Sequence, residues 1–546
     1  MSKAFACEIP LGSRDHGIAS LHMWRPADPC ASQGLRAPQP AMTCVRFEVA
    51  RAWQMLICLR GFDAEALAVA QRIEQRIGAP SDSVAMDARS EIAALKAVAF
   101  ALRDDGDGAL AAALSALRLG VSSPSAQVAL MVCRWVYWRL GDLERFYAVE
   151  PGEFRVRPGR LRAVTAVFDL TLHAAVELSQ MRFHSARLLV NDAFCLARRC
   201  VGNGVPIDVF PACVMAQLMY EEGNVDEAEA MIVAQLPGIR QGGTIEGAVW
   251  GYGLLARIAT NRRRPEQALA LLAEADALAV KHDWPRLRAA SLAQLIEVHV
   301  AAGRFDQAKP YARLLGTLVG QCGSGSSMRF ELIRYHLLAQ ARLALVGSSS
   351  TVDLASLRQL HVDADSRRDR YAAVTVVLLL IESLLVADRC DEAAGVLIML
   401  LKRAAEAGLH QTLVDSSERV AQLIDTVVLG ERVAIEAVRE VLPYARTLMT
   451  RRRRSAVPEV VKCDEGPNTV RLASAAGLSE RERAIIGLMG GGLTNKQIAI
   501  RLRIAPETVK SYAKHLYTKL GVRNRTEAAM LASRLGLIRL SGSDLG

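Results

Sequence analysis

Between about residues 45 and 445, apolar positions return every three to four residues and are broken by short polar turns. That is the period of amphipathic α-helices. A theme marks the breaks: a turn residue, a polar pair, then a small residue opening an apolar stretch. Gly223-Asn224-Val225-Asp226-Glu227-Ala228 and Gly303-Arg304-Phe305-Asp306-Gln307-Ala308 share it, with Arg263-Arg264-Pro265-Glu266-Gln267-Ala268 between them. The three alanines are spaced by 40 residues. Further matches end at Ala66, Ala111, Phe146, Ala186 and Ala393, with a weak one near Ala355. The turn residue ends one helix, and the acidic residues suit the positive N-terminus of the next. The small residue lets two antiparallel helices approach. A single helix pair cannot bury its apolar face alone, so such pairs stack. The expected fold is therefore all-α, with a helical-pair solenoid over 45–445.

The flanks read differently. Residues 1–44 carry Pro10, Pro26, Pro29, Pro38 and Pro40 with little periodicity, and are expected to be a flexible leader. Residues 446–477 carry Arg451 to Arg454, Pro458, Pro467 and Gly477, and are expected to be a basic linker. Residues 478–540 predict four short helices. Ser479 and Glu482 form one capping box, Thr494 and Gln497 a second. Gly490 to Gly492 stops the first helix, and Pro506 opens the third. Ile485, Ile486, Met489, Ile498, Ala499 and Leu502 point inward, as does the stripe Val509, Ala513, Leu516 and Leu520. The opposite face of the third helix shows Lys510, Ser511, Lys514 and Thr518. A fourth helix is expected from about Asn524 to Gly536. Two short helices, a turn and a helix with a basic outer face predict helix-turn-helix geometry, in which the last of them fits the major groove.

Charge sharpens this picture. The 546-residue chain has a formal net charge of +10. Residues 478–540 alone hold twelve Lys/Arg against four Glu, and residues 1–450 are balanced. A neutral body with a basic end points to a nucleic-acid-binding C-terminus. The eleven cysteines include no C-x-x-C pair and are expected to be buried, reduced thiols rather than a disulfide frame or zinc site. No secretory h-region stands at the N-terminus. The longest apolar run, Ala372 to Ile381, is too short to span a bilayer and predicts a buried helix.

The C-terminal motifs carry a close resemblance. Leu478-Ser479 with Arg481-Glu482, Gly492 through Ala499, Pro506 through Ser511, and Lys519 through Val522 with Arg525 through Ala528 together resemble the LuxR-type DNA-binding domain. The resemblance implies that Lys510, Ser511 and Lys514 face bases, and that Thr494, Asn495, Lys496 and Thr508 hold phosphates. It also implies a homodimer on DNA through the last helix, Thr526 to Leu535. Ala505 departs from the family's usual Ser cap and Tyr512 from its frequent His. The repeats resemble the tetratricopeptide (TPR) type with a longer period, and are similar to the sensor region of MalT-like regulators. Those regulators carry an ATPase. None of the ten lysines here follows a glycine, so no G-x-x-x-x-G-K-[ST] loop is present.

No catalytic constellation, cofactor motif or metal-ligand spacing is evident, and the scattered histidines His173, His184, His282 and His299 read as structural. The resulting expectation is a cytoplasmic, bacterial, non-enzymatic transcription regulator without cofactor, metal or membrane segment. It would bind double-stranded promoter DNA, act on RNA polymerase, and respond to a small-molecule or protein effector on the solenoid. The alternative is an interaction scaffold working with a separate partner ATPase.

Overall fold

A computed structural model describes residues 40–456 except 60, 62, 78–82, 120–123, 150–159, 201–205, 242, 324–325, 347–351 and 430–438, and residues 480–520 except 491–492 and 503. It divides into two units, Met1–Met449 and Thr450–Gly546. The expected leader lies outside the described residues up to residue 39, but its last residues already belong to the first helix, which starts at Pro40.

In the larger unit, helices follow one another in antiparallel pairs. These are α1 (Pro40–Ile57) with α2 (Asp63–Ile77), α3 (Ser83–Leu102) with α4 (Gly106–Leu119), and α5 (Pro124–Leu140) with α6 (Leu143–Ala148). Then come α7 (Arg160–Ser179) with α8 (Phe183–Cys200), α9 (Val209–Glu222) with α10 (Val225–Arg240), and α11 (Ile245–Asn261) with α12 (Pro265–His282). The series continues through α13 (Pro285–Ala301) with α14 (Phe305–Gln321), α15 (Arg329–Val346) with α16 (Leu354–Ser366), and α17 (Arg370–Val386) with α18 (Cys390–Ala407). Then follow α19 (Gln411–Val414), α20 (Glu418–Leu429) and α21 (Leu442–Ala456), of which the residues up to Met449 belong to this unit. All described regular structure is helical.

The turn theme has a physical basis. The fourth residue of each second helix is sealed from solvent: Ala66, Ala109, Phe146, Ala186, Ala228, Ala268, Ala308, Leu357 and Ala393. Five positions before eight of these stands a residue with left-handed backbone: Gly61, Asp104, Gly141, Met181, Gly223, Arg263, Gly303 and Asp388. The next residue's N–H reaches back to the carbonyl five positions earlier, as in Asn224 to Met219 (2.9 Å) and Arg264 to Ala259 (2.8 Å). This bond closes a Schellman turn. The carbonyl of the same residue accepts the first bond of the following helix, from Ala228 to Asn224 (3.0 Å) and from Ala268 to Arg264 (3.1 Å). One residue thus satisfies orphan groups at two helix ends.

Two of the expected register positions shift. Ala111 and Ala355 are exposed, and Ala109 and Leu357 take the sealed position. In the first case Asp105 sets the register, because its carboxylate accepts from the Gly108 N–H (2.9 Å) and its carbonyl from the Ala109 N–H (3.0 Å).

First and second helices of a pair differ in burial. In α9, α13 and α17 buried residues surround the axis, as in a helix enclosed by neighbours. The run Ala372 to Ile381 falls in α17, where Ala373, Val374, Val376, Val377, Leu379, Leu380 and Ile381 are buried. Among the described residues no helix is long and apolar enough to cross a membrane. The cysteine expectation needs correction. Cys133 and Cys213 are buried, but Cys58, Cys322 and Cys390 are half-buried and Cys195 is exposed on α8. Cys58 and Cys322 stand just past helix ends and Cys390 opens α18, positions at the turns where packing is partial. The linker expectation also changes: α21 occupies residues 446–456 of it, carried by the stripe Val441, Ala445, Leu448 and Met449, all buried.

Distant pairs also meet. Arg286, at 1% exposure, donates to Asp104 (2.5 Å) and Glu246 (2.7 Å), and Glu331 lies 3.4 Å away. Trp135 donates to the same Glu246 (2.9 Å), and Arg139 pairs with Glu331. Burial pushes the Glu246 carboxyl up, but Arg286 and Arg139 together hold it below its usual value. A second junction joins α9 and α11 to α17 and α19. There Glu221 accepts from the Tyr371 hydroxyl (2.5 Å), the Thr412 hydroxyl (2.5 Å) and the Thr412 N–H (3.1 Å). Asp415 accepts from Tyr220 and from Asn261 (2.7 Å).

Two stability predictions follow from these contacts. Removing the guanidinium in Arg286→Ala leaves the buried Asp104 without its cation and Glu246 with only Trp135 and Arg139, and should cost about 3–5 kcal/mol, read as a lower denaturation midpoint. Gly303 has φ +71 and nothing within 4 Å of an added Cβ. Gly303→Ala should therefore cost about 1 kcal/mol from backbone strain alone, with an unchanged circular dichroism spectrum.

Candidate nucleic-acid interface and the repeat-region cavity

In the smaller unit, α22 (Glu480–Gly490), α23 (Asn495–Leu502) and α24 (Pro506–Leu520) pack on one core. Ile485, Ile486, Met489, Ile498, Ala499, Val509, Ala513 and Leu516 are all buried there. These are the inward positions that the apolar spacing predicts. The second capping box has full geometry. The Thr494 N–H and hydroxyl both donate to Gln497 Oε1 (2.8 and 2.9 Å), and the Gln497 N–H reaches back to Thr494 Oγ1 (3.4 Å). The Ile498 N–H bonds to the Thr494 carbonyl (2.9 Å), which starts α23. Ser479 of the first capping box, and the fourth helix, lie outside the described residues.

The expected contact residues fall on the outer face. Thr494, Lys496, Thr508, Lys510 and Ser511 are exposed, and Asn495 is half-buried. Lys510 and Ser511 follow the buried Val509, so α24 turns one face to the core and the other to solvent. Lys510 Nζ stands 3.9 Å from Glu507 Oε2, with both side chains largely exposed, a loose pair that an anion can displace. Lys514 lies on α24 one turn beyond Lys510, and its side chain is outside the described residues. Thr494 spends its hydroxyl on the capping box, so its contribution to an anion is shared with the fold. Tyr512 is half-buried against the core and has a packing role. The exposed Ile500, at 78%, was not singled out by spacing, because its apolar type hides an outward position on α23.

The start of α24 has no side-chain cap. The Thr508 and Val509 N–H groups both use the Ala505 carbonyl (3.0 and 3.2 Å).

The larger unit holds a feature that sequence spacing did not reveal, a cavity of about 500 Å³. The first helices of successive pairs, α5 to α17, line it, together with α19. Its walls mix aromatic surface (Trp138, Trp250, Tyr335) with arginines (Arg139, Arg257, Arg334, Arg342). The seven come from three helices far apart in sequence, α5, α11 and α15, so no local motif could announce the set. Among the described residues no cluster of His, Cys, Asp and Glu could hold a metal ion.

The fold and surface define a class: helical repeats joined in one chain to a helix-turn-helix segment. Comparison with known proteins then places it. The family model of the MalT-like TPR region matches residues 157–428, and that of the bacterial regulatory proteins of the luxR family matches residues 476–532. The chain thus combines a MalT-like TPR region with a LuxR-type helix-turn-helix. It is similar to the HTH-type transcriptional regulator MalT of Vibrio cholerae, 24% identical over 382 residues, covering 68% of this chain and 41% of that protein. The corresponding MalT of Vibrio campbellii is 22% identical over 380 residues, again 41% of its length. The chain therefore aligns with about two fifths of these relatives. The DNA-binding transcriptional activator DevR/DosR of Mycobacterium tuberculosis is 48% identical over 67 residues, 12% of this chain and 31% of that one. A crystal structure of Rap protein complexed with competence and sporulation factor superposes with TM-score 0.49 at 12% identity, covering 67% of this chain and 99% of that one.

Supplying the missing cap tests this local account. Ala505→Ser should stabilise the start of α24 by about 1 kcal/mol, read as slower hydrogen exchange of its first-turn amides.

Proposed function

We propose that the chain is a sequence-specific transcription regulator that binds promoter DNA through its C-terminal helix-turn-helix. The observation that carries this reading is the exposed polar face of α24, Lys510 and Ser511, held opposite Val509, Ala513 and Leu516. A helix so presented fits the major groove, and lysines on it reach base edges. Lys510, Ser511 and Lys514 are the base-facing set. Thr494, Asn495, Lys496 and Thr508 are the phosphate-holding set. The names of the relatives, two regulators called MalT and an activator called DevR/DosR, support the same reading.

The repeat region, residues 45–445, is the sensing part. An effector bound there changes the DNA-binding competence of the C-terminal domain. On DNA the protein is a homodimer, it acts on RNA polymerase, and it works in the cytoplasm. It performs no catalysis of its own.

The test is a mobility-shift assay with genomic promoter fragments. A specific shift is expected, with affinity falling steeply as salt rises. Lys510→Ala should relax sequence preference and cost about 1–3 kcal/mol. Lys496→Ala should weaken all sequences alike and lower the logarithmic salt slope by about one. If no fragment shifts, or both variants bind as the parent does, the assignment of this surface is wrong.

A further inference from the structure

The cavity of the repeat region carries a chemical preference. Its acidic groups are already engaged, Glu382 among them, which burial pushes up and which the Ser417 side chain and the nearby Arg342 and Arg419 answer. Glu297 pairs with Arg342 (3.1 Å), and Glu331 with Arg139 and Arg286. Asp415 is taken by Tyr220, Asn261 and Gln411. Asp369 caps α17 through the Ala372 N–H (3.2 Å). Glu221, behind the wall, is saturated by Tyr371 and Thr412.

Arg257 is different. Its guanidinium lies over the Tyr220 ring, with Cζ 5.6 Å from the centroid, and makes one long hydrogen bond to Thr412 Oγ1 (3.5 Å). No carboxylate among the described residues lies within ion-pair distance of it. Arg257 is half-buried and lines the cavity, so the guanidinium donors that Thr412 does not use are open to an acceptor placed there. Arg334 is similarly under-used: its Nε has no partner and its nearest carboxylate oxygen is 3.7 Å away. Trp138, Trp250, Leu254 and Leu338 supply apolar wall, and about 500 Å³ suits a small molecule.

We propose that this cavity binds a small organic anion, an apolar body carrying one acidic group, with Arg257 as the anchor of that group. The proposal rests on the reading of the repeat region as the sensing part and names the class of its effector. A planar guanidinium matches a carboxylate or a phosphate ester by paired hydrogen bonds, and burial strengthens both. Glu221, Glu297 and Asp415 answer the Arg257 charge only through space, and neutral polyols lack the paired geometry that an anion brings.

Gly253, one turn before Arg257 on α11, gives a way to close the site. A Cβ there meets only Gln294 Nε2, at 3.5 Å, in ordinary contact. Gly253→Leu should fill the cavity and leave Arg257 untouched, while removing a helical glycine favours folding.

The test uses the full chain and four probes: 3-phenylpropanoate, its neutral amide, phenyl phosphate and inorganic phosphate. Binding is read by tryptophan fluorescence, since Trp138 and Trp250 line the cavity, and by thermal shift. At least one of the two aryl anions should bind saturably, and at least tenfold more tightly than the amide. Their ratio tells a carboxylate site from a phosphate site, and inorganic phosphate alone should bind weakly. Arg257→Gln should lose at least tenfold for the anion and nothing for the amide, Arg257→Lys should lose less, and Gly253→Leu should block all aryl probes with helicity intact. The proposal is overturned if the amide equals the anion, if neither anion binds, or if Arg257→Gln leaves anion affinity unchanged. A mobility shift with and without the bound anion separates the two readings. Binding that depends on Arg257 without any change in DNA affinity keeps the site and rejects effector control. A DNA response that persists in Arg257→Gln does the reverse.

Discussion

The guanidinium of Arg286 does what stacking alone cannot. In a simple solenoid each repeat touches only its neighbours, and stability is a sum of local interfaces. Here one buried cation joins the turn after α3, the start of α11 and the start of α15 through Asp104, Glu246 and Glu331. Asp104 and Arg286 are 182 positions apart. Such a pair pays a large desolvation cost, and it holds only because both carboxylates and the neighbouring Trp135 N–H complete the network. The repeat region is thereby drawn into a more cooperative body, and its inner helices converge on a common space.

That clamp depends on turn geometry. Asp104 is one of the residues with left-handed backbone between paired helices, so the same position that ends α3 presents the carboxylate to Arg286. A glycine would adopt this backbone more cheaply. Aspartate tolerates it and adds the charge, which is how a local turn rule becomes a long-range contact.

The legible and illegible parts of the fold divide along this line. Ala228, Ala268 and Ala308 were readable because turn, polar pair and sealed residue lie within six positions. Ala109 was misread as Ala111 because alanines at 109, 111, 112 and 113 offer several registers, and only the Asp105 hydrogen bonds choose among them. The helix α21 hid behind its arginines: the stripe through Ala445 and Leu448 continues past the expected boundary, but four consecutive basic residues mask the period. In the smaller unit, eight of the inward residues and the Thr494–Gln497 box were legible, since capping and helical spacing are local; Leu502 is half-buried and the Leu520 side chain lies outside the described residues. Arg257 was not, because its meaning comes from Tyr220, Thr412 and Tyr371 on other repeats.

A cavity formed this way has a thermodynamic consequence. Its walls come from α5 to α19, so it exists only while distant repeats are held together by the Arg286 network and by the Glu221 and Asp415 junctions. A ligand that fits it binds the assembled arrangement and not one in which a junction has opened, and it shifts the balance by that difference in affinity and no more. Glu331 sits at the meeting point: it lines the cavity, pairs with Arg139 and approaches both Arg286 and Arg334. Any anion that draws Arg334 toward itself competes with Glu331 for the same cation. Glu331 is thus a carboxylate that the cavity and the Arg286 network share, and an anion bound as proposed would act on that network through it.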